Sequence, residues 1–137
     1  MSDRRVPLEI ERAFGLRKDG RTEEAIVAFL DALAVHPTHA KGWWTLGGIY
    51  WERRELSEAV RCFRRAVELR PRNEDCSTGL FHALADAGHI DDAVQEARRF
   101  LRQVASGADC SPETLQVYRD YDRDGVALAE AWRKSRD

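Results

Sequence analysis

The sequence predicts an all-helical fold in which antiparallel helix pairs stack in a row and a last helix closes the stack. Three observations point to it. Ala25, Ala59 and Ala93 recur at intervals of 34 residues, and so do Leu16, Tyr50 and Leu84, and Phe29, Phe63 and Ala97, which is the signature of a stacked repeat. The turns recur too: KDGRTEEA, ERRELSEA and DAGHIDDA each lead into an amphipathic run, with Glu23, Ser57 and Asp91 at the helix start, where an anion or hydroxyl meets free backbone N–H groups. Pro37 and Pro71, also 34 apart, end the second helices of the first two units, because proline cannot continue a helix.

Unit one, about 6–39, carries Ala13, Leu16, Gly20, Ala25, Phe29, Ala32 and Pro37. Unit two, about 40–73, is the most explicit: Trp43, Leu46, Gly47 and Tyr50 stand as W-x-x-L-G-x-x-Y, then Ala59, Phe63 and Ala66 as A-x-x-x-F-x-x-A, then Pro71. In these residues the sequence resembles the tetratricopeptide repeat family at every signature position of the unit. Gly47 and Ala59 are small enough for two helices to approach closely, and Trp43, Leu46, Tyr50 and Phe63 fill the space around that contact. Against the family pattern, unit one has Glu9 and Arg12 at apolar positions. Unit three, about 74–107, keeps Leu80, Leu84, Gly88 and Ala93, but puts Phe81 at the small position and ends with Ala97 and Phe100. The resemblance runs from about residue 6 to 107 and implies a right-handed superhelix of antiparallel helix pairs, a solenoid.

After Gly107, Ser111-Pro112-Glu113 opens a helix, with a hydroxyl cap and proline in the first turn. Leu115, Tyr118, Tyr121, Gly125, Leu128 and Trp132 recur at intervals of three and four along one face. A repeat array leaves its last apolar face open, so residues 111–134 are expected to form the cap, with a kink or break near 122–125 as an open alternative. Within it, DYDRDG (Asp120 to Gly125) has the first half of a calcium-binding loop, yet the twelfth position is Ala131 and Glu130 falls one place short. Without the bidentate carboxylate such a loop binds weakly, and Asp120, Asp122 and Asp124 are expected on the solvated side of the cap.

Composition narrows the function. The chain has 137 residues, 43% hydrophobic and 34% charged, with a formal net charge of −2. It suits one soluble domain and gives no basic stripe for nucleic acid. No window approaches the ~20 apolar residues of a membrane span, and the start lacks the apolar core of a signal peptide, so the expected location is cytoplasmic, with no membrane partner. Cys62, Cys76 and Cys110 show no C-x-x-C spacing and read as reduced thiols. His36 and His39 flank Pro37 without a supporting cluster, and His82 and His89 have no nucleophile spaced to form a relay; neither metal nor catalysis is expected, and no cofactor. Arg61, Arg64, Arg65, Arg98, Arg99 and Arg102 lie on second helices beside Glu58, Glu68 and Glu96, the pattern of a salt-laced outer face.

The family resemblance implies that the first helix of each unit lines a concave groove. Its inward positions are then Ile10, Phe14 and Arg17 in unit one, Lys41, Trp44, Gly48 and Trp51 in unit two, and Asp75, Thr78, His82 and Ala85 in unit three. Trp44 and Trp51 are seven apart and share a helix face, with Gly48 leaving a gap between them; one of them could instead pack on the neighbouring unit's helix. Members that hold acidic chaperone tails use lysine, asparagine and arginine at set groove positions, where this chain has Ile10, Phe14, Thr45, Asp75 and Gly79. The resemblance therefore implies a non-catalytic module binding a partner helix or extended peptide in an aromatic groove. Two alternatives stand beside it: a small chaperone or immunity protein for one cognate partner, and a self-assembling structural unit.

Overall fold

The computed structural model describes residues 6–136. The reading of the extreme N-terminus rested in part on residues 1–5, which lie outside that range. Seven helices follow in order: α1 (Leu8–Lys18), α2 (Thr22–Val35), α3 (Ala40–Glu52), α4 (Leu56–Leu69), α5 (Glu74–Asp86), α6 (Ile90–Ala105) and α7 (Pro112–Arg136). They form an α-α solenoid of three antiparallel pairs with α7 as the capping helix. No helix among the described residues is long and apolar enough to cross a membrane.

Local chemistry sets the helix ends. α1, α3 and α5 close with the same motif, in which the N–H three residues past the helix reaches back five positions: Arg21 to the Leu16 carbonyl (2.9 Å), Glu55 to Tyr50 (2.9 Å) and His89 to Leu84 (2.9 Å). The residue before each is left-handed, Gly20 at φ 77°, Arg54 at φ 61° and Gly88 at φ 83°. Glycine takes that conformation without strain and Arg54 does not. α3 and α5 begin on side-chain caps, His39 Nδ1 accepting from the Gly42 N–H (3.0 Å) and Asn73 Oδ1 from the Cys76 N–H (2.9 Å).

Two apolar clusters fill the stack. One gathers Ile10, Phe29, Leu33, Leu46 and Ile49 between the first two pairs; the other gathers Phe63, Leu80, Phe81, Leu84, Phe100 and Tyr118. Trp43 and Tyr50 of α3 pack against both. The Phe63 ring is held between two glycines: a Cβ at Gly47 would stand 3.0 Å from its ring carbons, and one at Gly79 only 2.6 Å. Bare backbone on both sides is what lets α3, α4 and α5 close on one ring.

The cap is fastened by apolar and polar contacts together. Tyr118 and Tyr121 set their rings 4.9 and 4.7 Å from Phe81, and the Tyr118 hydroxyl lies 2.7 Å from Ser77 Oγ, which donates to Glu96 Oε2 at 2.7 Å. Arg99 forks onto both oxygens of Glu96 at 2.7 Å and donates to the Pro71 carbonyl at 2.8 Å. The buried Glu96 carboxylate thus has a full set of partners, as a buried charge requires. Asp124 has non-helical angles (φ −117°, ψ 18°), and at the next residue α7 presses so closely on α6 that a Cβ on Gly125 would lie 2.5 Å from Val94 Cγ2. Asp122 accepts from Arg98 (2.7 Å), while Asp120 and Asp124 both face Arg123. These carboxylates serve ion pairs along a helix instead of converging in a loop.

Candidate functional site

A cavity of about 620 Å³ opens on the face formed by α1, α3 and α5. α3 supplies its centre. Trp44 and Trp51 line it with Gly48 between them, and a Cβ at Gly48 would meet nothing within 4 Å, so the space separating the two indoles is open. Each tryptophan is 38% exposed. Both are held toward α5: Trp44 Nε1 donates to the Asp75 carbonyl (3.0 Å) and Trp51 Nε1 to Asp86 Oδ2 (2.7 Å). Both leaning and exposure coexist, because each N–H edge is anchored while part of the ring stays in contact with water.

α1 forms one wall. Phe14 stands edge-on to Phe29 with ring centres 5.2 Å apart, and Lys41 Nζ lies 5.5 Å above the Phe14 ring. Arg17 bridges to Glu52 of α3 at 3.0 Å. With Lys18 also on the lining, this side presents three cations against one carboxylate. α5 forms the other wall through Thr78, whose hydroxyl donates to the Asp75 carbonyl (3.2 Å), and through the exposed His82.

The structure brings Phe14, Arg17, Lys41, Trp44, Gly48, Trp51, Thr78 and His82 to this one cavity. Ile10 is a correction: it is 0% exposed, inside the core. A Cβ on Gly42 would lie 3.6 Å from its Cδ1, so the Ile10 side chain is accommodated beneath the bare backbone of α3 and never reaches the groove. The floor was not anticipated. Phe63 reaches the cavity from α4 because Gly47 and Gly79 place no side chain over its ring, and the spacing of first-helix residues carries no signal of that.

Residues 12–74 match the family model of the tetratricopeptide repeat. Over that stretch, which takes in most of the first helix pair and all of the second, the chain is similar to the tetratricopeptide repeat family. The seven helices suit three repeats and a cap, and the fold has solved relatives. One is the first tetratricopeptide repeat domain of Spaghetti (RPAP3), bound to the HSP90 peptide SRMEEVD, at 17% identity and a TM-score of 0.68 over 89% of this chain and 91% of that one. It is one of 119 solved chains that match, so the likeness is to a widely used fold. No curated protein sequence matches the chain.

Proposed function

We propose that the chain is a non-catalytic protein-interaction module that seats a partner helix or an extended peptide across Trp44 and Trp51. The observation that carries this reading is the open space at Gly48 between two half-exposed indoles, since tryptophans flanking a preformed apolar hollow are the usual anchors of a binding hot spot. The Spaghetti domain holds its HSP90 peptide on the same fold. A tail ending in carboxylates fits less well here: Ile10 and Thr45 are buried, Gly79 offers no side chain, and Asp75 would repel an acidic group. An apolar segment is the better ligand, with any carboxylate of its own set beside Lys41, Lys18 and Arg17. Burial pushes the Cys62 thiol up to about 12, which suits packing and not nucleophilic chemistry. The free cysteines Cys62, Cys76 and Cys110 suit a reducing compartment such as the cytoplasm.

The test is to select peptides on the wild-type chain from a displayed library, then titrate them calorimetrically against Gly48→Arg and the Trp44→Ala/Trp51→Ala double variant. Gly48→Arg plugs the gap without touching the core and is expected to abolish binding, with an unchanged circular dichroism spectrum. The double variant is expected to lose on the order of 2 kcal/mol or more per indole. Binding unaffected by Gly48→Arg would remove the groove from consideration.

A further inference from the structure

The first helix pair carries a second hollow on a different face. It measures about 600 Å³ and is lined by α1 and α2 alone. Its apolar part is Leu16, Val27, Ala28, Ala32 and Val35, and Val27 and Val35 are 59% and 65% exposed. On α2 these residues form a stripe at helical spacing, in which the small Ala28 and Ala32 allow another helix to come close.

The repeat itself supplies the control. α2, α4 and α6 start 34 residues apart, at Thr22, Leu56 and Ile90. Val27, Leu30 and Asp31 are therefore matched by Arg61, Arg64 and Arg65 on α4, and by Gln95, Arg98 and Arg99 on α6. On those helices the matched positions are polar, and Arg65, Arg98 and Arg99 form ion pairs with Glu68, Asp122 and Glu96. The repeat does not need apolar side chains there. At Val27 and Leu30 α2 alone has them, whereas Val35 is matched by Leu69 on α4, and the charge is reversed at the position that Arg65 and Arg99 fill.

The rim is acidic, with Glu9, Glu23, Glu24 and Asp31 against Arg12. Glu9, Glu23 and Glu24 face His36, Arg53 and Arg21. Asp31, between Val27 and Val35, has no ion-pair partner among the described residues. We propose that this hollow docks an amphipathic helix of a partner protein, whose apolar stripe covers Val27 and Val35 and whose lysine or arginine flank meets Asp31 and the rim carboxylates. A second copy related by a two-fold axis would set Asp31 and its neighbouring carboxylates against themselves, and like charges across an interface oppose pairing.

The full chain can be tested with two stapled helical peptides of matched length, one with a leucine stripe flanked by lysines and the other with the same stripe flanked by glutamates. Fluorescence anisotropy at 150 mM salt, read on the full chain carrying Gly48→Arg so that the groove takes no peptide, is expected to show binding of the lysine peptide and at least about tenfold weaker binding of the glutamate peptide. In that background Val27→Arg/Leu30→Arg, which installs the residues found on α4 at exposed positions, is expected to abolish binding and Asp31→Arg to weaken it. With the groove plugged, equal binding of both peptides, no binding of either, or survival of binding after Val27→Arg/Leu30→Arg would each overturn the proposal. So would a dimer in sedimentation velocity that Val27→Arg disrupts, since the surface would then belong to a second copy.

Discussion

At the scale of single residues, the protein solves one packing problem in two ways. Between α3 and α4, Gly47 faces the ring of Phe63; 34 residues on, Phe81 stands where Gly47 was and Ala97 where Phe63 was. One large and one small residue are kept, with the ring now coming from the other helix, and the combined volume is nearly conserved. The exchange aims the Phe81 ring at Tyr118 and Tyr121 of the cap. Neighbouring glycines are accordingly not equivalent. Gly79→Ala forces a Cβ to within 2.6 Å of the Phe63 ring and is expected to cost about 1–3 kcal/mol by overpacking. Gly48→Ala enters open space on a helix and is expected to gain about 0.5–1 kcal/mol. Urea denaturation of both variants checks the pair, and a gain at Gly79 would show that the ring can move aside. The small residues that recur at Ala25, Ala59 and Ala93 were legible in the sequence because repetition isolates them. The inward place of Ile10 was misread for a physical reason: helical phase gives a direction, but not whether a glycine on the facing helix leaves room for the side chain beneath it.

At the scale of the helix, the first turns show where sequence signals hold and where they blur. Gly20 and Gly88 announce their turns, while Arg54 adopts the same left-handed conformation with no glycine to betray it. The α3 and α5 caps are a similar pair, since His39 and Asn73 are 34 apart and do the same job with different chemistry. His39 can accept from the Gly42 N–H only while its Nδ1 is unprotonated. Burial holds its pKa below the usual 6.5, helped by the nearby charges of Arg70, His36 and Lys41 and opposed by a backbone hydrogen bond. Because the folded state binds this proton less readily than the unfolded chain, the contribution of His39 is complete above about pH 6.5. It declines as the pH falls below that value, where the unfolded chain gains the proton first. His39→Asn copies the Asn73 cap with a group that does not titrate in this range. It is expected to keep the stability seen at pH 7.5 and to lose less on going to pH 5 than wild type does, as read from thermal melts at the two pH values. Identical losses would show that the acid sensitivity resides elsewhere.

At the scale of the molecule, the stack is a chain of neighbours, and its cooperativity depends on what joins one apolar cluster to the next. The fold class was readable because a 34-residue period repeats the same small and large residues, so that errors in any one unit are corrected by the others. The join is less visible in the sequence. Trp43 and Tyr50 look like core residues of their own unit, yet each packs against the cluster before it and the cluster after it. Trp43 also donates its Nε1 proton to the Pro37 carbonyl at 2.8 Å, tying the loop that links α2 to α3. At the far end Tyr118, Ser77, Glu96 and Arg99 lock the cap to α5 and α6, so unfolding that begins in α1 and α2 meets its first strong barrier at Trp43. Truncating an indole of this kind typically costs about 3 kcal/mol, and the loss should fall on the coupling between clusters more than on either one alone. Wild type is expected to show similar hydrogen-exchange protection in the slowest amides of α2 and α6, as one cooperative unit does. Trp43→Ala is expected to split them, with α2 exchanging faster by orders of magnitude while α6, held by the cap, changes little. If α2 and α6 lose protection equally, the two clusters behave as a single core, and the stability of the array does not pass through α3.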